Sequence, residues 1–289
     1  MSSVNPTPAE RPSLRQPILI AAFHGWNDAG EAATEAVEHL VTAWGAEEFV
    51  ELDSESYYDY QVTRPTVAFV EGDRVIRWPT TRFLLARRTD LDHDIVLALG
   101  IEPSSRWKQF AEEVVELCQK LGVTTIITLG AMITDVPHTR PLPLWATSDD
   151  PALVERFHTT PSSYEGPTGI VGVLGAHAAR AGIPVVSAWT GVPPYADIAP
   201  SPKATLRLLA YLQETLHTAI PFGDLVAEAA SWEHDANALM LDDEDMAEYV
   251  QALETAQDTQ ETADLPEASG DAIAREFENY LKGRDGETR

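Results

Sequence analysis

The sequence predicts an α/β protein: a three-layer α/β/α sandwich on a mixed, mostly parallel sheet, with a small acidic helical appendage at the C-terminal side. Three observations predict it. Short apolar runs alternate with helix-period patterns through the first two-thirds of the chain. Several of those runs are apolar throughout, as strands covered on both faces are. Residues 224–289 then hold nineteen Asp or Glu against four Lys or Arg, with no strand pattern.

Each element follows from a local pattern. Residues 17–23, "PILIAAF", read as a buried strand. The helix after it places Ala33, Ala36, Val37, Leu40, Val41 and Trp44 at i, i+3, i+4 spacing. "EEFVEL" and "TVAFVEGDRVIRW" read as further strands, the second a hairpin turning at Glu71-Gly72-Asp73. "HDIVLALG" precedes a helix over 106–121, on which Phe110, Val114, Leu117, Cys118 and Leu121 share one face. "VTTIITLG" is another apolar strand, and "GIVGVLGAHAARAG" a small-residue helix able to approach a sheet closely. "IPVVSAW" is the last core strand. "SPKATLRLLAYLQETL" is a helix with Ser201 as N-cap and Pro202 at N1.

Beyond about residue 220 two acidic helices are expected. "DDEDMAEYVQALETA" opens with acids suited to a helix N-terminus and puts Met246, Tyr249, Val250 and Leu253 on one face. "SGDAIAREFENYLKG" repeats the logic with Ile273, Phe277, Tyr280 and Leu281, and "QDTQETADLPEAS" reads as a polar linker between them. The expected organisation is a flexible lead-in over 1–15, an α/β core over 16–220 and an acidic helical appendage over 221–289 that docks on the core or on a neighbouring subunit.

Composition removes several function classes. A formal net charge of −26 opposes unassisted binding to nucleic-acid phosphates or anionic lipid. The single cysteine, Cys118, excludes an intrachain disulfide framework and a cysteine-clustered zinc site. The N-terminal stretch has no apolar h-region, and no run of about eighteen apolar residues exists to span a membrane. The chain reads as cytoplasmic. It has no G-x-S-x-G elbow, no P-loop and no H-E-x-x-H, and its glycine-rich string does not place G-x-G-x-x-G after a strand.

In an open α/β sheet, sites form beyond the carboxyl ends of the strands. Four such ends carry polar or aromatic residues: His24, Trp26, Asn27 and Asp28; Glu102, Ser104, Ser105, Arg106 and Trp107; Asp135, His138 and Arg140; and Tyr195 with Asp197. If the strands are parallel, all four loops share one edge. As a catalytic set, His24 or His138 would be the general acid/base, Asp28 or Asp135 its orienter and Arg140 an anion clamp. As a binding or interface rim, Trp26, Asn27, Glu102, Trp107 and Tyr195 are the candidates. Each also has a structural reading. Asp28 with Glu31 fits a D-x-x-E variant of the capping box, Gly25 and Gly30 relieve a tight turn, Trp26 plugs the top of the core, and Arg140 pairs with an acid of the loop before it. His138 and Arg140 lack a second ligand at metal spacing, so neither a metal nor a cofactor is expected.

Five stretches together carry a resemblance: "ILIAAFHGWNDAGEAA", "RPTV" with a following Trp-Pro, "LGAMITDVPHTRP", "GPTGIVGVLGAHAARAGIPVVSAW" and "VPPYADIAPSPKATLRLL". The chain resembles the proteasome assembly chaperone family in its actinobacterial branch, over about residues 15–283. The resemblance implies a phosphorylase/hydrolase-like core, homo-oligomeric members and, for eukaryotic and archaeal relatives, binding to proteasome α subunits rather than catalysis. Relatives that engage α-ring pockets often end in a hydrophobic–Tyr–X tripeptide, whereas this chain ends Asp-Gly-Glu-Thr-Arg. Together with the amphipathic C-terminal stripes, the resemblance predicts a non-enzymatic assembly or scaffold protein that forms a homo-oligomer, a trimer, with proteasome subunits or another protein as client. The alternative is a nucleoside phosphorylase- or hydrolase-like enzyme acting on a small anionic or nucleoside substrate.

Overall fold

The computed structural model describes residues 13–196, 199–241 and 243–263. Asp197, most of the lead-in and the helix expected over residues 269–283 lie outside the described residues. Among the described residues nine strands are formed: β1 (Ile18–His24), β2 (Glu47–Glu51), β3 (Thr66–Val70), β4 (Asp73–Arg77), β5 (Thr81–Ala86), β6 (Ile95–Ile101), β7 (Thr125–Ile133), β8 (Leu144–Thr147) and β9 (Val185–Val192). The described helices are α1 (Ala32–Trp44), α2 (Trp107–Leu121), α3 (Pro151–Phe157), α4 (Ile170–Arg180), α5 (Pro202–Thr215), α6 (Leu225–Leu241) and α7 (Glu244–Ala263).

Seven strands make one sheet in the order β2-β5-β6-β1-β7-β9-β8. β1 lies parallel to both β6 and β7, and β7 parallel to β9, so these four carboxyl ends do share one edge. β5 and β8 run antiparallel to their inner neighbours, and β2, antiparallel to β5, and β8 are the edge strands. Alternation along β1 divides the interior in two. Ile18, Ile20 and Ala22 enter the core built with α1 and α5, while Leu19, Ala21 and Phe23 enter the core built with α2 and α4. A sheet buried on both faces needs apolar side chains at every position, which is why β1 is apolar up to His24. The three-layer α/β/α arrangement expected from the sequence is therefore the one formed. Each fully buried Leu or Ile in these layers stabilises it by roughly 1.5–3 kcal/mol.

Local chemistry explains the ends of the elements. Helices α1 and α2 stop at Gly45 and Gly122, each in the left-handed region that glycine adopts without strain. Asp150 caps α3, accepting from the Ala152 N–H, with Pro151 in the first turn. The β3–β4 hairpin turns at Glu71 and Gly72, both at positive φ, as a two-residue turn between twisted strands requires. This hairpin is a separate two-stranded sheet.

Three local expectations are corrected. Ser201 does precede α5 with Pro202 at N1, but its hydroxyl makes no cap bond. Its backbone N–H instead donates to the Gly30 carbonyl at 2.7 Å. The stretch read as a linker from Gln257 is helical as far as Ala263, because Gln, Glu, Thr and Ala continue α7 with no Gly or Pro before Pro266. A further helix, α6, precedes α7. It packs on α5 and α7 packs on it, so both acidic helices lie against the core.

Candidate functional site

The loop after β1 is built around Asp28. Residues Ala29–Glu31 form a single 3-10 turn before α1, so the formal N-cap is Glu31, held at φ 54° with no side-chain cap. Asp28 caps the helix from further upstream. Its Oδ1 accepts the N–H groups of Ala33 at 2.7 Å and Thr34 at 3.2 Å, and its Oδ2 accepts the Thr34 hydroxyl. The capping role expected of Asp28 is real, but the reciprocal D-x-x-E box is not formed, because the inserted 3-10 turn carries Glu31 away. His24 faces the same carboxylate: its Nδ1 lies 3.5 Å from Asp28 Oδ2 and 3.1 Å from Thr34 Oγ1, with the side chain 44% exposed. Burial raises the Asp28 carboxyl above its ordinary value, against the lowering effect of its hydrogen bonds and of His24. Gly30 allows all this. It sits at φ +57°, and a Cβ there would lie 2.7 Å from the Ser201 Cβ.

One step along the edge, the loops after β1 and β6 meet at the start of α4. Asn27 is buried and donates through Nδ2 to Glu102 Oε1 at 2.8 Å, and the same oxygen accepts the Ile170 N–H at 2.8 Å. A helix N-terminus attracts negative charge, and here the chain's own carboxylate fills that place. Gly169 is required beside it, since a Cβ would lie 2.1 Å from Asn27 Oδ1. Outside this clasp a groove of about 710 Å³ runs between α4, the β9 side of the sheet and the 162–169 segment, walled by Trp26, Tyr164 and Trp189. Trp107 lies in the first turn of α2, its indole N–H donating to the Pro103 carbonyl.

The loops after β7 and β9 form a second, separate cluster. His138 is fully buried. The Tyr195 hydroxyl accepts its backbone N–H at 2.8 Å and bonds its Nδ1 at 2.8 Å, while Nε2 meets Asn237 Oδ1 of α6 at 3.2 Å. A neutral ring protonated on Nε2 satisfies all of these contacts: Tyr195 donates to Nδ1, and Nε2–H donates to Asn237. Burial pushes the His138 pKa below its ordinary value and the Tyr195 phenol up to about 12. Lys203 Nζ clasps the His138 carbonyl and lies 3.0 Å from Glu233 of α6. Asp135 accepts the Tyr249 hydroxyl of α7 at 2.6 Å.

Arg140 pairs bidentately with Asp258 at 2.8 and 2.9 Å and lies 3.4 Å from Glu254. Its acids therefore come from α7 and not from the preceding loop. Asp258 is held below the usual carboxylate range by that guanidinium.

The shared edge predicted from the sequence thus carries two arrangements. His24 bonds to Thr34 and pairs with Asp28, whereas His138 and Arg140 take their partners from Tyr195, α6 and α7. The sequence reading passed over Thr34, Trp189, Lys203, Asn237, Glu254 and Asp258. A signal existed for the last pair: acids spaced i, i+4 on a helix share a face and suit one bridging cation. Among the described residues no group of three or more His, Cys, Asp or Glu could hold a metal ion. Cys118 is buried in the core under α2, with its thiol pushed up to about 12.

The fold recurs in known proteins. A PAC2 family protein from Streptomyces avermitilis shares 46% identity and a TM-score of 0.75, over 81% of this chain and 99% of its own. A proteasome-assembly chaperone homologue from Mycobacterium tuberculosis shares 43% identity at a TM-score of 0.73, over the same 81% and 99%. An archaeal proteasome activator from Pyrococcus furiosus has the same fold at 19% identity and a TM-score of 0.66, over 80% of this chain and 96% of its own. No curated protein matches the sequence. The resemblance read from the five stretches is borne out: the PAC2 family profile matches residues 22–240, and the chain belongs to the PAC2 family.

Proposed function

We propose that this protein is a non-enzymatic, cytoplasmic, homo-oligomeric assembly chaperone or scaffold, most simply a trimer, whose core over 16–220 and acidic appendage over 221–289 engage protein partners, proteasome subunits first among them. The observation that carries the reading is how the polar residues of the sheet edge are used. Asp28 caps α1, Glu102 caps α4 through Ile170 and holds Asn27, Asp135 accepts from Tyr249, and Arg140 is spent on Asp258. His138 is buried and bonded to Tyr195 and to Asn237 of α6. Groups committed to caps and clasps hold loops in one shape, and that is what a docking rim needs. Similarity to the mycobacterial assembly-chaperone homologue supports the choice of client.

The groove beside Trp26 and Trp189, with half-exposed His24 paired to Asp28 on the adjoining loop, favours the enzyme as a second reading. One experiment separates the two. The tagged full-length chain is used to capture partners from cytoplasmic extract, and the same preparation is screened with nucleosides and phosphate esters. The proposed function expects proteasome subunits in the eluate and no turnover. Turnover lost in His24→Ala, with no proteasome subunit captured, would overturn it.

A further inference from the structure

The β3–β4 hairpin is unlike the rest of the surface. Register pairs Val67 with Ile76 and Phe69 with Arg74, so these four side chains share one face. That face is open: Phe69 is 74% exposed, Ile76 56% and Val67 51%, and Trp78, two residues past Ile76, is 47% exposed and packs at a tilt against Tyr60. The hairpin's principal contacts are between its own two strands. A two-stranded sheet is marginal in water, and a contiguous exposed apolar face marks an interaction surface.

Charge indicates what covers it. From Thr63 to Trp78 the chain carries Arg64, Arg74 and Arg77 against Glu71 and Asp73, while the whole chain stands at −26. All three arginines are exposed and make no ion pair or side-chain hydrogen bond among the described residues. Acidic and apolar side chains are exposed together on two helices of the same protein. Helices α6 and α7 contain no Lys or Arg, expose Glu228, Glu244, Asp245 and Glu248, and also expose Val226, Leu239 and Tyr249. We infer that the hairpin docks on the α6–α7 face of a second copy of this chain, in a head-to-tail contact that closes into a ring. The apolar face supplies affinity, and the arginines set orientation against the neighbour's acids. Two unlike patches on each copy are what a ring of three or more copies requires. The inference rests on the homo-oligomer proposed above and names its interface.

The test is sedimentation of the full-length chain in three forms: parent, Phe69→Asp/Ile76→Asp, and Arg64→Glu/Arg74→Glu/Arg77→Glu. The parent is expected at a multiple of 31.6 kDa. Both variants should shift to that monomer mass with unchanged far-UV circular dichroism, self-association weakening by about 30-fold or more per apolar anchor removed. A monomeric parent overturns the homo-oligomer and this interface together. An oligomeric parent with both variants equally oligomeric overturns the interface alone. If a variant does not fold, Phe69→Cys chains mixed with Val226→Cys chains replace it, because buried Cys118 does not compete. Mixed Phe69–Val226 disulfides support the docking, and disulfides only between like variants overturn it.

Discussion

Replacing Asp28 by alanine tests the physical account of the first loop most directly. The carboxylate is buried and receives three donors: the Ala33 N–H at 2.7 Å, the Thr34 N–H at 3.2 Å and the Thr34 hydroxyl. Ala33 and Thr34 are themselves buried, so alanine leaves donors without water to receive them. Loss of a cap costs about 0.5–2 kcal/mol, and each buried unpaired donor about 1–3 kcal/mol. Some relaxation and water entry bring the expected total to about 2–4 kcal/mol. With an m-value of roughly 3 kcal/mol/M in urea, the unfolding midpoint should fall by about 1 M. Asp28→Asn keeps an Oδ1 acceptor for both backbone donors, so it should lose less than half as much. The assay is urea unfolding followed by circular dichroism on all three proteins. An Asp28→Ala midpoint within about 0.2 M of the parent, at equal m, would refute the cap. An asparagine variant as unstable as alanine would show that the charge, and not the acceptor geometry, holds the loop.

Three further outcomes follow from the same structure. Gly169→Ala forces its new Cβ against Asn27 Oδ1 at 2.1 Å, so it should destabilise by about 1–3 kcal/mol in the same assay. His138, its pKa lowered by burial and by the Lys203 charge against the opposing pull of Asn237, Glu233 and Glu254, binds a proton less readily folded than unfolded. The stability it supplies is therefore complete above the unfolded value of about 6.5 and is lost as pH falls below it. The destabilisation caused by His138→Gln should accordingly be larger at pH 7.5 than at pH 5.5 in thermal melts. Arg140→Ala removes the bidentate hold on Asp258 and the approach to Glu254, so hydrogen exchange should speed up through α7 while β1 and β7 keep their protection.

What the sequence determined by itself was local and periodic. Continuous apolar runs specified β1, β6 and β7, because a strand covered on both faces has no polar position to reveal a period of two. The 3.6-residue spacing of Ala33 through Trp44 and of Phe110 through Cys118 specified α1 and α2, and Glu71-Gly72 specified a hairpin. Family membership was legible too, in stretches that crowd small and polar residues at strand ends. Tertiary structure decided the rest. β8, with four residues, is too short for its period to stand out, β5 (Thr-Arg-Phe-Leu-Leu-Ala) does not alternate apolar with polar residues, and α6 spreads its alanines and leucines around the helix without a stripe. The roles of the site residues were also hidden. Arg140 finds Asp258 across 118 residues of sequence, His138 finds Asn237 across 99, and Glu102 reaches the start of α4 across 68. A side chain's neighbours along the chain determine its helix or strand. Its hydrogen-bond partners here come from strands and helices that only the closed sheet brings together, so the caps and clasps could not be read from the chain alone.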